Sequence, residues 1–237
     1  MVEIFVVLIL LFVLSQLFGI FDLKGGIGAT IIGGIIVFST DIEWLSLMLI
    51  FAIASFIVTR MWFSYKKNLQ EQEGKHGERG ISNVFYAGLI GVIIALASAL
   101  SKSALPYDIH FFELFAISFA VITSDTFASE VGVIDSKVRL ITNMQKVSPG
   151  TNGGVSVTGT LASVIGALII GISFSLLAYD RFILYNVIFV SLMGFVGNIA
   201  DSVLGATLER AGKLSKGGVN LYSSLFAVVI SIIILSL

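Results

Sequence analysis

Long apolar runs separated by short polar segments make up most of the chain. A run of roughly 20 apolar residues is the length that a helix needs to cross the hydrocarbon core of a membrane. The pattern predicts an all-α bundle with about eight spans, or with six or seven if the short, glycine-rich second run does not cross. The predicted spans are residues 2–20, 25–39, 42–63, 81–103, 111–130, 155–178, 182–208 and 219–237.

Composition narrows the class of protein further. Hydrophobic residues make up 57% of the 237 residues and charged residues only 12%, which excludes a soluble fold. The absence of cysteine excludes a disulfide framework, a thiolate metal site and a cysteine nucleophile. We expect one integral membrane domain over residues 1–237, in which N-terminal spans (1–64) precede a catalytic region (65–237).

Basic residues lie in three of the connections between spans. Cytoplasmic loops of membrane proteins carry an excess of lysine and arginine, so these three connections are expected to face the cytoplasm. With eight spans, both chain termini then lie outside. We therefore expect a protein of the cell membrane whose active-site loops are cytoplasmic. The cations concerned are Lys66, Lys67, Lys75 and Arg79, then Lys137, Arg139 and Lys146, then Arg210, Lys213 and Lys216.

Two aspartates near the cytoplasmic ends of predicted spans are the first candidates for chemistry. Carboxylates inside a membrane segment are costly, and they commonly mark ion pathways or catalytic sites. Asp125 lies in SDTFASEVG, and Asp201 lies in GNIADSVLGA on the same helical face as Asn198. Glu130 follows Asp125 by five residues, about 140° around an ideal helix. Oxygen ligands of this kind suit Mg²⁺, so we predict Asp125, Glu130, Asn198 and Asp201 as metal ligands. The simpler alternative is that each carboxylate pairs with a loop cation.

The segment KVSPGTNGGVSVTG, residues 146–159, is polar and pliable, with four glycines and a proline in a chain that is 57% hydrophobic. Its glycines can adopt the positive φ values that turn successive amides toward an anion, and the following helix adds its free N-terminal amides. It is not a Walker A loop, because no Gly-Lys-Ser/Thr closes it. A flexible turn between spans would look similar. As a phosphate cradle it would use Lys146, Ser148, Gly150, Thr151, Asn152, Gly153 and Gly154.

Two further patterns add polar groups to this candidate site. In GKHGERGISNVF, the side chains of His76, Arg79 and Asn83 fall at helical offsets, and Lys75 precedes them. In addition, an aspartate with a hydroxyl neighbour, a basic loop and a Gly-Gly-Val triplet occur in the same order twice. The first copy runs from Asp125 to residues 153–155, and the second copy runs from Asp201 to residues 217–219. A parallel repeat would bring the polar ends of both copies to one cytoplasmic site.

These motifs resemble the membrane-integral phytyl-phosphate kinase family of plants, bacteria and archaea. The resemblance covers most of the chain from His76 onward, whereas the three N-terminal spans match only in hydrophobic character. It implies transfer of the terminal phosphate of a nucleoside triphosphate, commonly CTP, to an isoprenyl monophosphate such as phytyl or geranylgeranyl phosphate. Ser148 stands where threonine is frequent in the family, and VFYAG after Asn83 is less polar than expected. The motifs that carry it are HGERGISNV, SDTFASEVG, SPGTNGGVSVTGT, GNIADSVLGATLE and GGVNLYSS.

Together these patterns give a hypothesis for each part of the site. Mg²⁺ would hold the nucleotide phosphates on the aspartates, Lys146 and the glycine segment would cradle them, and Arg79 with Lys75 would bind the acceptor. The isoprenyl tail would lie in an apolar groove between helices. The remaining candidates for substrate binding are His76, Asn83, Ser202, Lys216 and Asn220.

Two other functions stay open at this point. The same groups would suit a nucleotidyltransferase that forms a CDP-lipid, and intramembrane aspartates with a repeat are also typical of transporters. No nucleic-acid partner is expected, and the oligomeric state is open because small-residue faces pack helices both within and between chains.

Overall fold

The computed structural model describes residues 2–101 and 109–236, and it confirms an all-α membrane bundle. The ends of the fourth and eighth predicted spans, residues 102–103 and 237, lie outside this part of the chain. The helices are α1 (Val2–Leu17), α2 (Leu23–Ser39), α3 (Ile42–Arg60), α4 (Phe63–Asn68), α5 (Ile81–Ser101), α6 (Ile109–Gly132), α7 (Val157–Tyr179), α8 (Leu184–Leu204) and α9 (Lys216–Leu235). A π-helical segment (Gly205–Glu209) continues α8, and two short strands are β1 (Arg139–Leu140) and β2 (Gly154–Val155).

The helices correspond closely to the predicted spans. Within the described residues, six are long and apolar enough to cross a membrane, namely α3, α5, α6, α7, α9 and α8 with its π-helical extension. Helices α1 and α2 are shorter, at 16 and 17 residues. The third span ends at Arg60 rather than at residue 63, because Trp62 adopts a left-handed φ of 53°. The chain then turns into α4, a helix that the hydrophobic pattern did not predict.

Helix α6 lies at the centre of the bundle, and α8 packs closely against it. Phe115, Ala120 and Val121 of α6 are fully buried. The approach of α8 depends on glycine, because a Cβ added at Gly194 would lie 2.7 Å from the Cβ of Ala120. Small residues allow backbones to come this close in membrane helices. This contact places the polar ends of α6 and α8 side by side.

The connection between α1 and α2 holds the segment that precedes α5. The N–H of Arg79 donates to the carbonyl of Ile20 at 3.0 Å, and the carbonyl of Arg79 accepts from the N–H of Asp22 at 3.2 Å. Gly25 leaves room for this pairing, since a Cβ there would lie 2.5 Å from the Arg79 carbonyl oxygen. The N-terminal helices therefore fix the backbone position of Arg79.

The glycine-rich segment is part of an ordered hairpin between α6 and α7. Strands β1 and β2 are antiparallel, with Arg139 opposite Val155. Ser156 caps α7 by accepting a hydrogen bond from the N–H of Gly159 at 3.1 Å. Gly153 has a φ of 74°, and a Cβ there would lie 2.4 Å from the backbone nitrogen of Ala206. The hairpin therefore lies directly on the π-helical end of α8.

Candidate functional site

A polar cavity of about 200 Å³ lies where α6 and α8 end and where α5, α7 and α9 begin. Four segments that are far apart in the sequence converge on it: the two aspartate motifs, the glycine-rich hairpin and the start of α5. The predicted site residues that line it are Arg79, Asn83, Asp125, Glu130, Gly150, Thr151, Asn152, Gly153, Gly154, Asn198, Asp201, Ser202, Lys216 and Asn220.

The carboxyl groups of Asp125 and Asp201 are neighbours within this cavity. They lie within hydrogen-bonding distance of each other, on α6 and α8 respectively. Asp201 Oδ2 also accepts a hydrogen bond of 2.9 Å from Ser223 Oγ on α9. The positive charge of Lys216 lies close enough to interact with both carboxylates, and the positive charge of Arg79 interacts with Asp125. Two acidic side chains are thus held together next to two cations.

Two amide oxygens extend this set of oxygen donors. Asn198 lies one turn before Asp201 on α8, and Asn220 lies one turn into α9; both line the cavity. The Oδ1 atoms of both side chains are buried and have no hydrogen-bond partner in the described part of the chain. Buried polar atoms are normally paired, so these oxygens are available to a bound ligand. Two carboxylates and two amide oxygens fit a hard cation such as Mg²⁺. Over residues 2–101 and 109–236, no cluster of three or more acidic or histidine side chains forms a metal site.

Glu130 lines the cavity, but its carboxylate is already bound by protein groups. Its Oε2 lies 2.5 Å from the Nζ of Lys66, and its Oε1 accepts a hydrogen bond of 2.9 Å from Thr59. Lys66 is fully buried and also donates to the Thr59 carbonyl at 2.6 Å. Because α6 stays helical to Gly132, Glu130 faces α3 and α4 while Asp125 faces α8. The structure therefore places Glu130 in an ion pair and not with the predicted metal ligands.

The glycine-rich hairpin presents backbone amides to the cavity. The N–H groups of Gly150, Asn152 and Gly153 have no acceptor among the described residues. Gly150 and Gly153 have φ values of 81° and 74°, the conformation that turns neighbouring amides toward an anion. The side chain of Glu71 lies over this surface, since a Cβ added at Gly150 would meet its carboxylate. An acidic group thus covers amides that suit a phosphate.

Arg79 lines the cavity, and not all of its N–H donors are paired within the described residues. Its Nη2 lies 3.3 Å from Thr59 Oγ1 and 3.5 Å from Thr126 Oγ1, and its Nε is buried without a partner in the segments described. Asn83, one helical turn further along, donates to Glu73 Oε1. Arginine donors in a fixed fork suit a phosphate group.

Four predicted site residues lie outside the cavity. Lys146 and Ser148 are exposed on the outer side of the hairpin, and Lys75 and His76 are exposed in the turn before α5. The backbone N–H groups of Lys75 and His76 donate to Glu78. Burial raises the pKa of the Glu78 carboxyl, but hydrogen bonds from backbone amides outweigh this and hold the pKa below its ordinary value. Lys216, and not Lys146, is the lysine beside the aspartates.

Several residues of the site were not predicted from the sequence. Ser223 lies three residues after Asn220 and therefore on the same face of α9. That spacing is a signal from which Ser223 could have been predicted. The sequence around Lys66 gave no such signal, because nothing distinguishes Lys66 from the other cations of the connections. Only the structure shows that α4 places it inside the bundle. Other additions are Thr59, Glu71, Glu73 and Glu209.

Comparison with known proteins identifies the family. The profile described as integral membrane protein DUF92 matches residues 6–228. The chain belongs to the DUF92 family. This match includes the three N-terminal helices, which the motifs from His76 onward did not cover. No solved structure matches the chain.

Three curated relatives of this DUF92 chain come from an archaeon and a plant. The uncharacterized membrane protein MJ0933 of Methanocaldococcus jannaschii is 35% identical, over 90% of this chain and 85% of its own length. Protein PGR of Arabidopsis thaliana is 28% identical, over 81% of this chain and 73% of its own. The chloroplastic protein VTE6 of the same plant is 26% identical, over 64% of this chain and 45% of its own. These matches confirm the family resemblance that the sequence motifs indicate.

The buried ion pair predicts a stability effect that separates Glu130 from the aspartates. Changing Lys66→Met leaves the Glu130 carboxylate buried and unpaired, which we expect to cost about 3–5 kcal/mol of unfolding free energy. The double variant Lys66→Met with Glu130→Gln removes both charges and should regain most of that loss. Thermal unfolding of the purified DUF92 protein in detergent measures both. An unchanged Tm in the single variant would contradict the structural role of the pair.

Proposed function

We propose that this protein is a phosphotransferase that moves the terminal phosphate of a nucleoside triphosphate to an isoprenyl monophosphate. The observation that supports this best is the position of Arg79 and Asn83, which line two adjoining cavities. One is the polar cavity with the paired aspartates and the glycine-rich hairpin, and the other is apolar. An acceptor with a phosphate head and a hydrocarbon tail fits this combination. CTP as the donor rests on the family resemblance.

The protein has to supply little covalent chemistry in this reaction. A phosphate monoester has its second pKa near 6, so the acceptor is already an ionised nucleophile at neutral pH. One of its oxygens forms a bond to the γ-phosphorus, the bond from that phosphorus to the β,γ-bridging oxygen breaks, and the nucleoside diphosphate leaves. No general base is needed. The protein must instead hold two anions in line and neutralise charge on the transferred group.

Residues of the cavity match these tasks. The free amides of Asn152 and Gly153 and the N-terminus of α7 would bind the nucleotide phosphates. Lys216 would neutralise charge beside the aspartates, and Arg79 would hold the acceptor phosphate from the side of the apolar cavity. Cations on both sides of the transferred group favour transfer and oppose the repulsion between the two substrates.

The oxygen donors fit Mg²⁺, which would be held by Asp125, Asp201, Asn198 and Asn220. Such an ion, when bound, neutralises negative charge on the phosphates of a nucleotide. Ser223 orients Asp201 for this role through its hydrogen bond. Residues 66–79, 137–146 and 210–216, which carry the basic side chains, lie in the connections at the cavity end of the bundle. By the positive-inside rule, we propose that the cavity faces the cytoplasm.

Transfer of a labelled phosphate tests this function. Purified protein in detergent with Mg²⁺ and geranylgeranyl monophosphate is given CTP labelled at either the α or the γ position. We expect the γ label in the lipid and CDP as the second product, because the acceptor attacks the terminal phosphate. The α label in the lipid with release of pyrophosphate would instead establish a CDP-lipid synthase. Failure of both labels to move, across several nucleotides and prenyl phosphates, would contradict the proposal and favour a transporter.

The position of Glu71 predicts a gain of nucleotide affinity on its removal. Glu71→Gln takes away a negative charge that covers Gly150, so we expect the Kd of CTP with Mg²⁺ to fall several-fold. Asp180→Asn is the matched control. Asp180 is exposed at the end of α7 that is opposite the cavity, and asparagine suits its left-handed conformation. Equal affinities for the Glu71→Gln and Asp180→Asn variants would exclude nucleotide phosphates from the amides of the hairpin.

A further inference from the structure

The N-terminal helices enclose an apolar cavity of about 310 Å³. It lies between α1, α2, α3 and the first turns of α5, with Phe119 of α6 as part of its wall. A volume of this size is within the range of ligand-binding pockets. The family match covers these helices, although they contain none of the motifs that carry the resemblance.

The wall of this cavity presents hydrocarbon to its interior. Two of its hydroxyl groups are bonded within their own helices, Ser15 to the carbonyl of Phe12 and Thr30 to the carbonyl of Gly26. The hydroxyl of Ser55 is buried and has no partner in the described segments. The rest of the wall is formed mainly by leucine, isoleucine, phenylalanine, alanine and glycine. Such a wall has few groups that could bind a polar ligand. An alkyl or isoprenyl chain has no hydrogen bonds to water that it would give up on entering the cavity.

The two cavities meet at one cationic position. Arg79, Asn83 and Ala87 line both of them, and Arg79 is fixed by the pairing of its backbone with the α1–α2 connection. The guanidinium of Arg79 retains a buried Nε without a partner in the part of the chain described. A ligand that lies in both cavities therefore places an anionic group near Arg79 and an apolar chain among α1, α2 and α3.

The end of the apolar cavity that is far from Arg79 is lined by buried side chains. Leu8 and Leu45 are almost fully buried there, and Met48 packs against them. Along α3 the cavity wall runs from Phe56 to Leu45, a separation of eleven residues, which is about 16 Å at the rise of an α-helix. This is roughly half the thickness of the hydrocarbon core. Packed side chains at this depth limit the length of the chain that fits.

We infer that the apolar cavity among α1, α2, α3 and α5 binds the hydrocarbon tail of a lipid monophosphate whose phosphate lies at Arg79, and that the Leu8–Leu45–Met48 end limits the tail length. This inference rests on the proposed function for the acceptor class. It assigns the N-terminal helices to substrate selection, separately from the groups that act on the nucleotide.

A pair of alanines two residues apart on α3 gives a matched test. Ala52 lines the cavity and Ala54 does not. Positions two apart on a helix face opposite sides, so Ala52→Leu fills the cavity and Ala54→Leu adds the same bulk elsewhere. The probes are geranylgeranyl phosphate and isopentenyl phosphate, which has a single isoprene unit. Binding of both is measured without nucleotide, and γ-label transfer is measured in parallel.

The expected result is selective for the long tail. Ala52→Leu should weaken binding of geranylgeranyl phosphate by about tenfold or more, while isopentenyl phosphate changes by less than about twofold. Ala54→Leu should leave both unchanged. If Ala52→Leu does not fold, Ala29→Leu fills the same cavity from α2 and should give the same selectivity. Equal effects on the two phosphates, or equal effects of Ala52→Leu and Ala54→Leu, would overturn the inference.

The two readouts separate this inference from the proposed function. Selective loss of long-tail binding with no label transfer in any variant would support the tail site and contradict the kinase. Label transfer that is unaffected by Ala52→Leu or Ala29→Leu for both lipids would support the kinase and contradict the tail site. Displacement of bound geranylgeranyl phosphate by an uncharged lipid at equal concentration would also contradict it, because the cavity would then be a general lipid site.

Discussion

The arrangement of the site depends on the burial of two carboxylates side by side at the polar end of a membrane bundle. Asp125 and Asp201 come from different helices, and two carboxylates at this distance repel each other unless cations, polar donors or a shared proton compensate. Lys216, Arg79 and Ser223 supply that compensation. The glycine contacts between α6 and α8, and the packing of the hairpin on the π-helical segment, bring these groups to one cavity.

Glu130 shows how position on a helix separates two roles. It lies five residues from Asp125 on a continuous helix, so the two carboxylates point to different neighbours. Asp125 meets a second carboxylate, whereas Glu130 meets the buried Lys66. The ion pair anchors α4 to the bundle, and the segment that follows α4 carries Glu71 to the hairpin. One acidic side chain thus lies in the aspartate pair of the cavity, and the other lies in a buried ion pair beside it.

The helices, the approximate span boundaries and the aspartate motifs were predictable from the sequence, because apolar runs and intramembrane carboxylates are local signals. The proximity of Asn198 and Asp201 was suggested by their spacing, and the meeting of the two aspartate segments was suggested by the internal repeat. The choice between Lys146 and Lys216 was not predictable, since it depends on which side of the hairpin faces α9. Nor was the role of Lys66, because α4 forms only where Trp62 reverses the chain. The apolar cavity needs the packing of four helices and has no signature in any one of them.

We expect Asp125 and Asp201 to act as one unit on one ligand. A double-mutant cycle with Asp125→Asn, Asp201→Asn and the combined variant tests it most directly, with transfer of the nucleotide γ label to geranylgeranyl phosphate as the readout. Residues that act as a unit give strongly non-additive effects. Each single variant should lose nearly as much activity as the double variant, while all three remain folded. Losses that multiply independently, or a single variant that keeps nearly full activity, would contradict it.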